Sequence, residues 1–535
     1  MSYLSKMRFR RTPQSLPLAG QVPNSAGGHA WAVGEWAQLR RFLVLGTEGG
    51  SFYASENTLT RENARAVQEC LERDGPRTVA EIVAVSRAGR APKNDPAIFA
   101  LAMAAGLGDE PTRQAALAAL PDVCRTGTHL FHFATFVEEF RGWGRALRRA
   151  VGAWYAHRTP DELALQAVKY RQRDGVSHRD LLRLAHPGAA VSAGNPELEV
   201  TPVHAALFKW IVRGGDTAGL PRLIDGYARA QATEAPAVAA SLVREYGLPR
   251  EALRSEHLTS PEVWEALLEA MPMTALIRNL ATLTRVGVVA PGSAGTARVR
   301  ERLGDAEAIR RARVHPIAVL AAQLTYGSGR GLRGRGEWNP VGAVIDALDG
   351  AFYAALGNVE PAGGRTLLAL DVSASMTWGS VAGVPGLTPR VASAALALVT
   401  AATEPEYQIV GFTQGLTPLA ITPGQRLEDA LATVNGLRFG GTDCALPMLY
   451  AQAQGLQVDT FVIYTDSETW AGDIHPAQAL REYRRASGID ARLVVVGMVS
   501  NGFSIADPAD AGMLDVVGFD TATPQLVADF ARGAL

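Results

Sequence analysis

The hydrophobic pattern of this 535-residue chain changes period near residue 360, and that change constrains the fold more than any other feature. Before it, apolar residues recur at three- and four-residue spacing, the mark of helices with one buried face. Such segments run over Trp36–Leu45, Ile98–Leu107, Arg113–Leu120, Leu130–Trp143, Ala146–Tyr155 and Leu163–Tyr170. They return over Leu181–Ala185, Val203–Val212, Pro221–Ala228, Val238–Tyr246, Val263–Met271 and Ala275–Thr284. Turn signals such as Gly-Leu-Gly-Asp (106–109) and His-Pro-Gly (186–188) separate them, and no strand-like alternation intervenes. Many helices on short connections predict a stacked array of helical pairs without a strict repeat length. Residues 1–30, rich in Pro, Gly and Gln, read as an extended arm.

After about 360 the grammar alternates. Thr366–Val372 is a continuous apolar run containing Asp371, as a strand buried on both faces reads. A helix (Arg390–Ala402), strands (Tyr407–Phe412, Leu419–Ile421) and two helices (Leu427–Leu437, Ala445–Gln454) follow. A strand (Thr460–Tyr464), a helix (Pro476–Ser487), two strands (Arg492–Val499, Leu514–Val517) and a helix (Pro524–Arg532) complete the series. This alternation predicts a doubly wound α/β sheet, whose ligands bind at the carboxyl ends of the strands. The expected division is a helical domain over 1–360 and an α/β domain over 361–535.

Charge divides along the same line. Residues 366–535 carry eight Lys+Arg against seventeen Asp+Glu, whereas 1–365 carry 44 against 36. A basic helical half suits a polyanionic partner, although the excess is modest for its length. The sequence has no run of about 18 apolar residues, so no membrane span is expected. Its N-terminus has no apolar segment of secretory type, and Cys70, Cys124 and Cys444 are widely spaced. A cytoplasmic protein without a disulfide framework is the expectation. No GxxxxGK[ST] motif is present, which argues against a built-in nucleotide triphosphatase.

Three short motifs fall where the α/β rule places ligands. Asp371-Val-Ser373-Ala-Ser375 follows the first strand, Gly440-Gly441-Thr442-Asp443 precedes a helix, and Asp466 ends the strand Phe-Val-Ile-Tyr-Thr-Asp. Asp371, Ser373, Ser375, Thr442 and Asp466 form a hard, oxygen-only set suited to Mg²⁺. The three motifs together resemble the metal-ion-dependent adhesion site of von Willebrand factor A domains. That resemblance implies one open coordination position, which an acidic side chain of a partner completes. The alternative is an A domain that has lost its metal.

The helical half also carries long motifs. Gln21-Val-Pro-Asn-Ser-Ala-Gly-Gly28, Leu39-Arg-Arg-Phe-Leu43 and Gly46-Thr-Glu-Gly-Gly50 resemble the opening of the TROVE module of the Ro autoantigen family. So do the segment from Lys169-Tyr-Arg-Gln-Arg-Asp-Gly to His186, Met271-Pro-Met-Thr-Ala-Leu-Ile-Arg-Asn-Leu280, and Val314-His-Pro316. Ro proteins join this module to a C-terminal A domain, so the resemblance spans essentially the whole chain and points to a bacterial member. It implies a ring of HEAT-like helical repeats closed by the A domain. It further implies binding of small noncoding Y RNA outside the ring, and of single-stranded 3′ ends of misfolded or immature RNAs in a central hole. A Y RNA could in turn bring in an exoribonuclease. A monomer is expected without RNA.

The residues offer their own support. Residues 141–183 hold ten Lys+Arg and four acids. Arg141, Arg145 and Arg149 are spaced to share one helix face, and Lys169 and Arg173 to share another. Trp143, Trp154, Tyr155 and Tyr170 are interleaved, and exposed aromatics stack on unpaired bases. Trp154 and Tyr155 are expected in the core. Lys169, Arg171 and Arg173 precede Gly175 and could instead complement a helix terminus. Ser177 with Asp180 reads as a helix N-cap, which would expose His178 and Arg179 in the first turn. By resemblance Lys169, Arg173 and His186 contact RNA, with Gln172, Arg171, His178, Arg179 and Arg278 as further candidates. Arg278 and Asn279 could equally satisfy hydrogen bonds between repeats. The leading expectation is a noncatalytic RNA-binding scaffold. The alternatives are a metal-dependent protein interaction module of adhesion or chelatase type, and a nuclease. Two-metal phosphodiester chemistry would want a richer carboxylate set than Asp371 and Asp466.

Overall fold

The computed structural model describes residues 11–46, 64–91, 93–187, 199–331, 336–357, 360–379, 381, 387–437, 440–499, 501–517 and 522–534. The arm opens with two short strands, β1 (Gln21–Pro23) and β2 (His29–Ala32), paired antiparallel. From Glu35–Leu45 the chain is helical. The helix Arg65–Ala88, which the sequence pattern did not single out, holds Pro76 just after a break at Asp74 (φ −158°, ψ 86°), so its hydrogen-bond ladder restarts there. The helix Asp95–Leu107 is apolar all round and forms the centre of its group, with Ile98, Phe99, Leu101 and Met103 fully buried. It packs on Gly127–Phe140 through edge-on contacts of Phe99 with Phe136 and Phe140, at 5.1 and 5.6 Å. Helices Arg145–Ala156, Pro160–Lys169, His178–Ala185, Pro202–Arg213, Arg222–Ala232, Pro236–Tyr246, Pro261–Ala270 and Met273–Arg285 continue the array. It ends with Ala294–Gly304, Ala306–Arg311, Pro316–Gly327 and Gly342–Leu356, beyond the last helix expected from periodicity.

Starts and stops follow local chemistry. Thr159 and Ser177 form capping boxes with Glu162 and Asp180, so the expected Ser177 cap is present. A two-residue hairpin, β3 (Gln172–Arg173) with β4 (Val176–Ser177), interrupts the helices where none was expected. The array returns on itself. Arg313 Nη1 donates to the Arg87 carbonyl and His315 Nε2 meets the Arg90 carbonyl, both at 3.2 Å.

Among the described residues the C-terminal sheet has six strands in the order β11 (Met513–Val517), β9 (Arg492–Gly497), β8 (Thr460–Thr465), β5 (Thr366–Asp371), β6 (Tyr407–Phe412) and β7 (Leu416–Pro418). All pairs are parallel except the edge strand β7, which lies three residues before its expected position and returns antiparallel. Strand order reverses between β5 and β8, which places a ligand crevice at their carboxyl ends. The arm belongs to this domain in space: β2 pairs with β10 (Phe503–Ser504), giving a second, three-stranded sheet. Among the described residues, no helix is long and apolar enough to cross a membrane.

Candidate metal centre and nucleic-acid interface

The reversal between β5 and β8 brings Asp371 and Asp466 to the same edge of the sheet. Asp371, Ser373, Ser375, Thr442 and Asp466 are all buried. Asp371 Oδ1 accepts the Ser373 amide at 2.9 Å and Oδ2 the Thr465 hydroxyl at 2.7 Å. The Ser373 and Ser375 hydroxyls lie 2.9 Å apart. The Thr442 carbonyl accepts the amides of Trp470 and Ala471 at 3.0 Å, which stitches its loop to the loop carrying Asp466. Asp466 Oδ1 accepts the Glu468 amide at 3.0 Å, while Oδ2 is buried without a hydrogen-bond partner among the described residues.

Burial pushes both carboxyls up, Asp466 to about 8 with Asp371 adding repulsion. Arg390, from helix Pro389–Thr403, donates to the carbonyls of Val372 and Ser373 and partly offsets that cost at Asp371. An orphaned buried oxygen, two carboxyls held away from water and two adjacent hydroxyls fit a hard cation. No three His, Cys, Asp or Glu side chains form a metal cluster among the described residues, so the donor set stays hydroxyl-rich.

Sequence reasoning missed how the arm frames this site. Gln14 is fully buried, its Nε2 donating to Asp443 Oδ1 at 2.7 Å and to the Ile474 carbonyl at 2.9 Å. Its Oε1 accepts the Thr469 hydroxyl. Asn24 Nδ2 donates to the Thr469 carbonyl at 2.7 Å, and the Ala26 amide to Glu468 Oε2 at 3.0 Å. Gly28 lies so close that a Cβ there would stand 1.9 Å from the Thr469 carbonyl oxygen. A run of Gln, Asn and Gly in a leading segment carries no periodic signal, so these contacts were not readable.

The basic residues divide. Arg171, Gln172, Arg179 and His186 line one cavity of about 980 Å³, together with Arg183, Trp210, Arg213 and Tyr227. Tyr227 accepts from Arg171 Nη1 at 2.8 Å, and Trp210 packs perpendicular to it at 6.0 Å. Asp180, the one acidic residue of the lining among the described residues, is engaged in its capping box with Ser177. Trp210, Arg213 and Tyr227 were not foreseen, because they lie on helices remote in sequence from the Lys169–His186 motif.

His178 is a correction. It forms part of the cavity wall but is only 1% exposed, its Nδ1 bonded to the Tyr155 hydroxyl at 2.8 Å and Nε2 to the Gln166 carbonyl at 3.2 Å. Its ring packs among Phe131, Trp154 and Tyr155, and burial lowers its pKa to about 4. Within that first turn His178 faces the preceding helices while Arg179 and Asp180 are exposed, so the cap position alone did not imply exposure of His178. Trp154 and Tyr155 are core, as expected.

Two shared faces are also corrected. Helix Gly127–Phe140 ends before Arg141, which is extended, and Gly144 starts a new helix, so only Arg145 and Arg149 are on one helix. Lys169 closes its helix and Arg173 lies in β3. Lys169 Nζ sits 5.4 Å from the Tyr170 ring centre, and Arg173 Nε is 3.6 Å from Asp174. Neither lines the large cavity. Arg278 lines a separate cavity of about 330 Å³ with Lys93, Tyr326 and Trp338. Buried Asn279 accepts Arg250 Nη1 at 3.0 Å and donates to the Ala275 carbonyl at 2.7 Å, the structural role weighed for it.

A self-closing helical array joined to an A-type α/β domain with a hydroxyl-rich crevice defines the class. The comparisons agree. The TROVE domain model matches residues 22–210 and 248–325, and the Ro60 vWA domain model matches 365–531. The RNA-binding protein RO60 of Deinococcus radiodurans is 47% identical over 519 residues, covering 96% of each chain. That of Caenorhabditis elegans is 36% identical over 600 residues, covering 98% of this chain and 93% of its own. The crystal structure of the Deinococcus radiodurans RO (RSR) protein superposes with a TM-score of 0.72 at 46% identity, covering 94% of this chain and all of that one. This chain belongs to the Ro60 family.

Proposed function

We propose that this protein is a noncatalytic RNA-binding scaffold of RNA quality control or maturation in the cytoplasm. It holds a Y RNA on its outer basic surface and takes single-stranded 3′ ends of misfolded or immature RNAs into the hole of the ring. The observation that carries the reading is the cavity lined by Arg171, Arg179, Arg183 and Arg213 together with Trp210, Tyr227 and His186. Guanidinium groups bind phosphates bidentately, and aromatic rings accept unpaired bases. Two relatives bearing the RNA-binding name support the same class. Asp371, Ser373, Ser375, Thr442 and Asp466 would hold Mg²⁺, which would supply an electron-poor centre for a partner's carboxylate. Exposed Trp378 and Trp470, whose amides donate to the Ser375 and Thr442 carbonyls, would widen the contact.

The test is RNA binding at several salt concentrations by wild type and by Arg171→Gln/Arg179→Gln/Arg213→Gln. The triple variant should bind more weakly, and its log–log salt slope should flatten by about 0.7 for each single-strand phosphate that is no longer neutralised. An unchanged affinity and slope would remove the cavity from the RNA surface. Tailed and structured RNAs should remain intact with Mg²⁺ or Mn²⁺. Cleavage abolished by Asp466→Ala would replace the scaffold with an enzyme.

A further inference from the structure

The loop that carries Asp466 is held from outside its own sheet. The Asp466 carbonyl accepts Asn501 Nδ2 at 2.5 Å. The same Asn501 side chain offers Oδ1 to Arg41 Nη1 at 2.9 Å, and its backbone carbonyl accepts that nitrogen at 2.7 Å. Arg41 Nη1 also reaches the Phe503 carbonyl at 3.1 Å, while Nη2 donates to both carboxylate oxygens of Asp515 at 2.8 and 2.7 Å. Arg41 lies on helix Glu35–Leu45, the first of the ring, and is 2% exposed. One planar guanidinium therefore gathers the segment after β9 and the strand β11 onto the ring.

The direction of each bond matters. An amide side chain is free to turn until its oxygen and nitrogen are both committed. Arg41 commits the oxygen of Asn501, which leaves Nδ2 aimed at the Asp466 carbonyl. Without the guanidinium, nothing in this chain of bonds would hold that orientation, and the backbone bearing the metal carboxylate would lose the support on its Asp466 side, leaving the arm's contacts at Glu468 and Thr469.

We propose that Arg41 and Asn501 are positioning residues of the cation site, so that cation affinity depends on the ring's first helix being seated on the A domain. The proposal rests on the reading of Asp371 to Asp466 as a cation site. Linkage makes it reciprocal: a bound cation tightens that seat. Outer partners of metal ligands commonly set affinity by about 10–100-fold.

The experiment is Mg²⁺ titration calorimetry on the full-length protein, with hydrogen exchange in helix Glu35–Leu45 as a second readout. Asn501→Ala should weaken Mg²⁺ at least 10-fold, and Arg41→Lys should do so too, since an ammonium cannot span Asp515 and Asn501 together. Mg²⁺ should slow exchange in the helix of wild type and not in Asn501→Ala. Leu276→Ala, a fully buried residue elsewhere in the ring, should lose stability yet keep wild-type affinity. Wild-type affinity in Asn501→Ala, or equal weakening in Leu276→Ala, would overturn the positioning role alone. Absence of Mg²⁺ binding in wild type would overturn both the cation site and this dependence on it.

Discussion

His178 shows how a single residue type divides between surface and core by its surroundings. In the first turn of a capped helix it would ordinarily be wet, yet Phe131, Trp154 and Tyr155 enclose it. Its folded pKa of about 4 lies below the ordinary 6.5, so the unfolded chain takes up a proton first as pH falls. Its contribution is intact above pH 6.5 and is lost progressively toward pH 4, by roughly 3 kcal/mol. Denaturant unfolding across that range should show the decline. The Tyr155→Phe/His178→Phe double variant, which removes both partners of their mutual bond, should show a shallower one. Gln14 makes the same point for a neutral group. Gln14→Ala takes one buried hydrogen bond from each of Asp443, Thr469 and the Ile474 carbonyl and should cost about 1–3 kcal/mol by chemical denaturation.

At the scale of elements, the arm is the least foreseeable part of the fold. Pro and Gly in its sequence predicted extension correctly, but not what the extended segment lies against. β2 adds to β10 and turns directly into helix Glu35–Leu45, so the arm is continuous with both domains. Its fit leaves no room for a side chain at Gly28, nor at Gly472, where a Cβ would meet Asp443 Oδ1 at 2.3 Å and Gln14 Nε2 at 2.4 Å. Gly28→Ala should therefore lift the arm from the loop at 466–475. Limited proteolysis should cut the arm of the variant faster than that of wild type, while the helices Asp95–Leu107 and Gly127–Phe140 stay protected.

Across the whole molecule, the ring and the A domain meet through ion pairs of unequal weight. Arg41–Asp515 is nearly dry on the arginine side, whereas Arg426–Asp346 has both side chains more than half exposed. A buried charge left without its partner is costly, while exposed pairs contribute about 0–1 kcal/mol. Arg41→Ala should cost about 3 kcal/mol or more in denaturant unfolding, and Arg426→Ala should be nearly silent. If the two substitutions cost the same, burial would not be what distinguishes these contacts.

The sequence by itself determined the change from helical to alternating grammar, nearly every strand of the sheet, and the order of Asp371, Thr442 and Asp466 along it. Those features are local: period, cap and strand end are written within a few residues of where they act. The cavity around Arg171, the burial of His178, the break at Arg141 and the seat of Arg41 were decided only by tertiary structure. Trp210 and Tyr227 join Arg171 through helix packing, and Arg41 reaches Asn501 across 460 positions of sequence. Hydrophobic period specifies which face of an element is buried, but not which other element buries it. That choice is made by mutual packing and by the matching of polar groups that must leave water in pairs.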